Sequence, residues 1–445
     1  MTSPSTEQVS PQTLRKVIIA AGIGNFVEWF DFAVYGFLAT TIAQQFFPSG
    51  DASAALLKTF AVFAVAFAFR PLGGIFFGML GDRIGRKRTL AMTILLMAGA
   101  TTLIGLLPTY AAIGVAAPIL LSLIRCAQGF SAGGEYAGAC AYLMEHAPSD
   151  KRAWYGSFVP VSTFSAFAAA AVVAYALEAS LSAEAMGSWG WRLPFLIAAP
   201  LGLVGLYLRW KLDETPAFQA VKQEHAVAHS PLKETLRNHG AAICCLGAFV
   251  SLTALSFYMF TTYFATYLQV AGGLSRAAAL LVSLIALIFA AAICPLAGLY
   301  SDRVGRRITV MTACALLIVV VFPSFLMASS GSFAASIVGV MMLAVGAVLC
   351  GVVTAALLSE TFPTRTRYTA SAITYNMAYT IFGGTAPLMA TWLISTTGSN
   401  LSPAFYLIAV ALLALAGGLA LPETSRVSLH DVGSEEKEAA PLLSR

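Results

Sequence analysis

The sequence predicts an all-α membrane protein in which twelve transmembrane helices form two pseudo-symmetric six-helix halves. Composition is the first ground: of 445 residues, 58% are apolar and 11% charged, with mean hydropathy +0.79, a balance ordinary water-soluble domains do not show. Segment length is the second. Apolar runs centred near residues 30, 67, 98, 130, 165, 200, 254, 288, 318, 346, 382 and 411 reach the ~20 residues that a helix needs to cross the hydrocarbon core. Repetition is the third. Gly78–Leu90 reads G-M-L-G-D-R-I-G-R-K-R-T-L and Gly298–Ile308 reads G-L-Y-S-D-R-V-G-R-R-I, so that an offset of 220 residues aligns Gly78, Asp82, Arg83, Gly85 and Arg86 with Gly298, Asp302, Arg303, Gly305 and Arg306. Glu145-x-x-Pro148 with Lys151 and Arg152 echoes Glu360-x-x-Pro363 with Arg365 and Arg367, and Leu212-Asp-Glu-Thr215 echoes Leu421-Pro-Glu-Thr424. Three motifs repeated in one order mark a tandem duplication, a known plan for transporters.

Charge sets the orientation. Of the 26 Lys and Arg, 21 fall in the segments on one side, only Lys58, Arg192 and Arg276 fall on the other, and Arg70 and Arg125 lie inside spans. The positive-inside rule puts both termini and both motif copies in the cytoplasm, so the net charge of +5 reflects topology rather than nucleic-acid binding. The expected organisation is a disordered cytoplasmic N-terminus (1–14), a six-helix domain (15–211), a polar cytoplasmic linker (212–238), a second six-helix domain (239–421) and a polar tail (422–445) read as disordered. No metal site is expected: the seven cysteines lie in apolar runs without ligand spacing, and His225 and His229 sit in the charged linker.

Taken in order, the first span carries N-F-V-E-W-F-D-F-A-V-Y from Asn25 to Tyr35. At 100° per residue, Glu28, Asp31 and Tyr35 fall within about 60° of arc, with Asn25 and its neighbour Trp29 close by. Two carboxylates in an apolar helix are costly and face a bundle interior or a cavity. The second span buries Arg70 before Pro71, Gly73 and Gly74, which suggest a kink and a close helix contact. The fourth reads R-C-A-Q-G-F-S-A-G-G-E-Y-A-G, with Arg125, Gln128, Ser131 and Glu135 on one face and glycines spaced for close packing. Spans seven to twelve hold no charged residue in mid-membrane. Their polarity is aromatic and amide: Tyr258 and Tyr263 in the seventh, Tyr375, Asn376 and Tyr379 in the eleventh.

Nothing in this pattern resembles a hydrolytic triad, a phosphate cradle or a cofactor motif, so an enzyme is not expected. The buried charges suit binding and charge movement. Glu28, Asp31 and Glu135 are the candidates for loading a proton, the coupling ion and the only cofactor expected. Asn25, Trp29, Tyr35, Arg70, Arg125, Gln128, Tyr258, Tyr263, Tyr375 and Asn376 are the candidates for substrate contact. The repeated motif has a different expected task. An Asp and an Arg at i, i+4, as in Asp82 and Arg86, can pair across a Gly-containing turn, and the Asp can face the positive N-terminal end of a neighbouring helix. Contacts of that kind exist in one arrangement of the halves and break in the other, which makes them a conformational gate.

At these residues the sequence resembles the major facilitator superfamily, whose loop 2-3 signature is similar to G-M-L-G-D-R-I-G-R-K. More narrowly, G-N-F-V-E-W-F-D-F, R-P-L-G-G, Q-G-F-S-A-G-G-E-Y-A-G, W-G-W-R-L-P-F and E-T-F-P-T-R-T-R-Y-T resemble the metabolite:proton symporter family. Within it, L-R-W-K-L-D-E-T-P-A-F and I-F-G-G-T-A-P are most similar to the proline/glycine betaine transporters. The resemblance implies alternating access by two six-helix domains, import of a compatible solute driven by protons, a bacterial plasma (inner) membrane, and no obligate protein partner. Ketoglutarate, citrate and tricarballylate carriers of the same family are also similar, which keeps a small carboxylate as the alternative substrate. Drug/proton antiport fits less well, because Phe158-Val-Pro-Val-Ser-Thr has Pro160 without the glycine pattern of antiporters.

Overall fold

The computed structural model describes residues 11–48, 51–84, 86–133, 136, 139–140, 143–144, 147–210, 239–362 and 367–425, with the backbone alone for 11–17, 20–21, 78–79, 81–84, 86–87, 90, 208–210 and 367–368. Gly85, Glu135, the whole linker (212–238) and the distal tail lie outside the described residues, as do the side chains of Asp82, Arg83 and Arg86, and Gly78 is described by its backbone alone.

All described secondary structure is helical, and twelve spans account for most of it, with short helical segments such as Tyr110–Ile113, Arg152–Gly156 and Ala183–Ser188 between them. Span 1 is Pro11–Phe37, continued by Ala39–Phe46 after a bend of 64°. Its start at Pro11 shortens the N-terminal segment expected to lack structure. Span 2 is Ala52–Ala68 followed by Arg70–Ile84, span 3 is Arg86–Leu106 and span 4 is Ala116–Ala132. Spans 5 and 6 are Phe158–Ser180 and Leu193–Trp210. In the second half, span 7 runs Gly240–Val270, span 8 Arg276–Val304, span 9 Arg306–Ala328, span 10 Phe333–Glu360, span 11 Thr369–Thr397 and span 12 Ser402–Leu419. Serine hydroxyls start two of them: Ser275 accepts from the Ala278 N–H at 3.2 Å and Ser332 from the Ala335 N–H at 3.4 Å, satisfying donors that a helix start leaves open.

The duplication read in the sequence is visible in the packing. Span 1 packs on spans 5 and 6, span 2 on span 4, and span 3 on spans 4 and 6; six spans on, 7 packs on 11 and 12, 8 on 10, and 9 on 10 and 12. The halves meet where span 5 lies along span 8 and span 2 along span 11. Spans 3, 6, 9 and 12 turn Leu103, Leu203, Val319 and Leu412 outward. Lipid is as apolar as leucine, so this exposure costs nothing there, and the interior is left for small and polar residues. Gly129 shows why: a Cβ there would overlap the Ala66 carbonyl, so span 4 crosses span 2 backbone to backbone.

Candidate functional site

Between the halves, Glu28, Asp31, Arg70 and Arg125 are all 3% exposed or less. Arg70 starts the second segment of span 2, where the helix breaks at Phe69 before Pro71. Its Nη2 lies 3.5 Å from Glu28 Oε1 and donates to the Ala132 carbonyl at 3.4 Å. Its guanidinium rests among the rings of Trp29, Phe32, Phe67 and Tyr379, at 5.7, 5.6, 5.3 and 6.0 Å. Arg125 stacks over Tyr35 at 4.2 Å, touches Phe32 and Phe63, and donates from Nη1 to Gln128 Oε1 at 2.8 Å. Gln128 Nε2 donates to Thr101 Oγ1 at 2.5 Å, and Thr101 donates to Asp31 Oδ2 at 2.8 Å.

These two guanidiniums are incompletely used. Nε and Nη1 of Arg70, Nε and Nη2 of Arg125 and the Tyr258 hydroxyl are buried without a hydrogen-bond partner. Leaving such groups unmade costs about 1–3 kcal/mol each, more when charged, so their concentration at one place makes it the candidate site for an occupant. Tyr258 stands within electrostatic reach of both arginines. It is wedged against Trp29, Phe63, Phe67, Phe257 and Tyr379 with ring centroids 5.1–6.2 Å apart. Tyr375 stacks on Tyr136 at 4.4 Å and on Tyr379 at 3.9 Å. Spans 7 and 11 each widen to i→i+5 turns next to these rings, at Met259–Tyr263 and Tyr379–Gly383, a distortion that recurs at functional sites.

The remaining candidates have other duties. Asn25 donates to Val159 O, Ser162 Oγ and Thr163 Oγ1 and accepts from Trp29 Nε1, so its amide is spent joining span 1 to span 5. The Tyr35 hydroxyl donates to Thr59 O, leaving only its ring to support Arg125. Tyr263 packs against Phe60 and Tyr267, and no described contact joins it to the arginines. Asn376 bridges the halves through a 2.7 Å bond from Nδ2 to Gly133 O, beside the Thr380 bond to Phe67 O. Thr101 and Phe67 were not candidates, since a threonine or a phenylalanine in an apolar helix carries no distinguishing signal in sequence; Tyr379, singled out with the other aromatics of span 11, stands against Arg70.

The second motif copy lies at one end of the same interface. Gly298 lets span 8 approach the short helix Arg152–Gly156 that leads into span 5, since a Cβ would meet Ala153 O at 2.7 Å. Asp302 then accepts from the Ala153 and Trp154 N–H groups at 3.0 and 2.9 Å, the negative group at a helix N-terminus that the motif suggested. Arg306 pairs with Asp302 at i, i+4, 3.0 Å away, and with Glu360 at 3.0 Å; Arg152 of the first half approaches Glu360 at 3.6 Å. Arg303 is exposed. The turn between spans 8 and 9 needs φ +94° at Gly305, a region open to glycine and rarely to other residues.

The first residues past span 12 correct the reading of the whole tail as disordered. Glu423 accepts from the Arg306 and Arg307 N–H groups at 2.8 and 3.1 Å, and Thr424 donates to Glu360 at 2.8 Å, because the start of span 9 offers unbonded donors. Partial burial works to raise the Glu423 carboxyl, but the N–H bonds from Arg306, Ser425 and Arg307 outweigh it and hold it below its usual 4.5. A depressed carboxylate contributes stability above its unfolded pKa and loses it as pH falls through the folded value. Glu423→Gln is therefore expected to lower the unfolding temperature at about pH 7 and to match wild type more closely at about pH 4. A gap that does not narrow on acidification would remove the carboxylate from this role.

At the opposite end, Arg276 at the start of span 8 lies 3.3 Å from Glu178 on span 5 and donates to Thr40 Oγ1 at 2.7 Å. The halves are in contact at both ends, and the arginine cluster is enclosed between them.

The profile of the Major Facilitator Superfamily matches residues 21–385. The chain is 39% identical to the proline/betaine transporter of Salmonella typhimurium over 443 residues, covering 97% of this chain and 88% of that protein. It is equally similar to the glycine betaine/proline/ectoine/pipecolic acid transporter OusA of Dickeya dadantii, with the same coverage. The ectoine/proline transporter ProP of Corynebacterium glutamicum is 36% identical, with 96% and 88% covered. Among solved structures, the proton:xylose symporter XylE bound to 6-bromo-6-deoxy-D-glucose superposes with TM-score 0.73 at 18% identity, covering 96% of this chain and 100% of that one.

Proposed function

The chain belongs to the Major Facilitator Superfamily, and from that premise we propose that it imports a zwitterionic compatible solute, of the proline, glycine betaine or ectoine kind, together with protons. It works by alternating access in a bacterial plasma membrane, with residues 15–211 and 239–421 as the moving units. One observation carries the substrate class: two guanidiniums with unused N–H groups stand beside aromatic faces contributed by both halves. A carboxylate takes the guanidinium fork, and a quaternary ammonium takes ring faces at about 0.5–2 kcal/mol per contact. Arg70 now rests on those faces, and the substrate's cation would replace it there.

Asp31, Glu28 and Glu135 are the proposed proton carriers, with no other cofactor. The motif contacts bias the two states, both termini face the cytoplasm, and one chain holds a complete site, so a monomer suffices. The two arginines also support a second reading, uptake of a small carboxylate. It is weaker because Arg306, the buried arginine of the second half among the described residues, is committed to Glu360 and Asp302.

The test is uptake of labelled glycine betaine and proline into proteoliposomes under an imposed pH gradient. Accumulation that a protonophore abolishes is expected, together with loss of accumulation in Asp31→Asn. Uptake that ignores the protonophore would sink the coupling. Competition by ketoglutarate or citrate, with none by betaine or proline, would transfer the site to carboxylates.

A further inference from the structure

Thr101 is fully buried and Gln128 is 1% exposed, and together they link Asp31 to Arg125 without a gap. We propose that they are positioning residues that report the protonation state of Asp31 to the Arg125 guanidinium, which is released toward a substrate carboxylate when Asp31 takes up its proton. This rests on the proton-symport reading above.

The argument turns on one hydroxyl. A threonine hydroxyl has one proton and two lone pairs, and Thr101 has two acceptors in reach, Asp31 Oδ2 at 2.8 Å and Met97 O at 3.0 Å. While Asp31 is ionised, the Thr101 proton points to the carboxylate and the oxygen accepts from Gln128. When Asp31 gains a proton from water on the open side, it becomes the donor to Thr101 Oγ1, and the Thr101 proton swings to Met97 O. The Thr101 oxygen keeps a donor and its proton keeps an acceptor in both states, so at Thr101 the change needs only a bond rotation.

Its effect reaches Arg125 in two ways. The negative charge that held the guanidinium from the Asp31 side is gone. The Gln128 amide, whose Oε1 accepts from Arg125 Nη1, now donates to an oxygen that already accepts from Asp31, which weakens the polarised chain. With Nε and Nη2 already unpartnered, Arg125 needs little more to turn to an anionic group.

Other charges do not supply this link. Span 4 presents Arg125 to Asp31, Tyr35 lies one turn along span 1, and span 7 presents Tyr258 beside Arg125. Arg70 of span 2 is taken by Glu28, one turn back on span 1. Spans 3, 5 and 6 have no carboxylate, lysine, arginine or histidine in mid-span.

The experiment is the Kd of glycine betaine, by calorimetry on the purified full chain, at about pH 6 and about pH 8, where linkage to one proton changes affinity by up to about tenfold per pH unit. Wild type is expected to bind tighter at the lower pH. Thr101→Val keeps the branched shape but removes donor and acceptor, and its ratio between the two pH values is expected to fall within about twofold of unity. Thr101→Ser should restore the wild-type ratio, which a mere packing role would not require. Should the valine variant not fold, Gln128→Leu cuts the same chain and predicts the same loss of ratio. A wild-type ratio in either interrupted variant, or a lost ratio in Thr101→Ser, overturns the inference and leaves symport standing. A wild type with no pH ratio, whose uptake also ignores the protonophore, overturns both.

Discussion

Arg125→Ala is expected to weaken binding of glycine betaine or proline by between ~30-fold and ~5,000-fold, the equivalent of about 2–5 kcal/mol for truncating one side of a buried, charge-assisted contact. The guanidinium is held from behind by the Tyr35 ring at 4.2 Å and by Gln128 at 2.8 Å, with Nε and Nη2 left over for an occupant. Alanine removes the fork and leaves Gln128 Oε1 without its donor. Arg125→Lys should recover only part of the loss, because a single ammonium cannot keep Gln128, stack on the ring and present a planar pair of donors together. Titration calorimetry and the ligand-induced rise in unfolding temperature both read the outcome. A Kd for Arg125→Ala within about threefold of wild type would remove Arg125 from the substrate's reach, since a lost charge-assisted bond exceeds that.

The contrast between Arg125 and Arg306 shows what sequence alone can and cannot reveal. Periodicity and composition are local, so the twelve spans, the burial of Glu28, Asp31, Arg70 and Arg125, and the i, i+4 relation of Asp302 to Arg306 were all legible in the sequence. Choice of partner across the fold was not. Nothing near Arg70 points to Glu28, 42 residues away, and nothing near Asp31 points to Thr101. Asn25 lies on the acidic face of its helix and looked like a ligand, yet three acceptors on span 5 take its amide. The wide turns of spans 7 and 11 leave no mark in an apolar sequence. Glu360 and Glu423 did carry a signal, since each belongs to an echo between the halves. That echo established the duplication, and only the fold shows that both carboxylates converge on Arg306.

That convergence gives the second large effect. Glu360 accepts from Arg306 Nε and Nη2 at 3.0 Å each and from Thr424 at 2.8 Å, and it draws Arg152 to 3.6 Å. Glu360→Ala leaves two buried guanidiniums facing one another across a vacated space. Removing one member of a buried ion network costs about 3–5 kcal/mol, so the unfolding temperature should fall by several degrees, and Glu360→Gln, which keeps the acceptor oxygen but not the charge, should fall between. The loss is not spread evenly over the transport cycle. Arg152 belongs to the first half and Glu360 with Arg306 to the second, so the Arg152–Glu360 contact exists only while the halves touch at the motif end. The part of its energy that spans the two halves favours that closed end specifically. Each 1.4 kcal/mol lost there shifts the balance between states about tenfold toward the state open at the motif end. Single cysteines placed in the facing segments of spans 5 and 8 should therefore label faster in Glu360→Gln than in wild type, by a factor that tracks the loss of transport. Equal labelling with a lowered unfolding temperature would make the cluster a brace for the second half alone, and the gate would then rest on Asp302 and its two N–H donors.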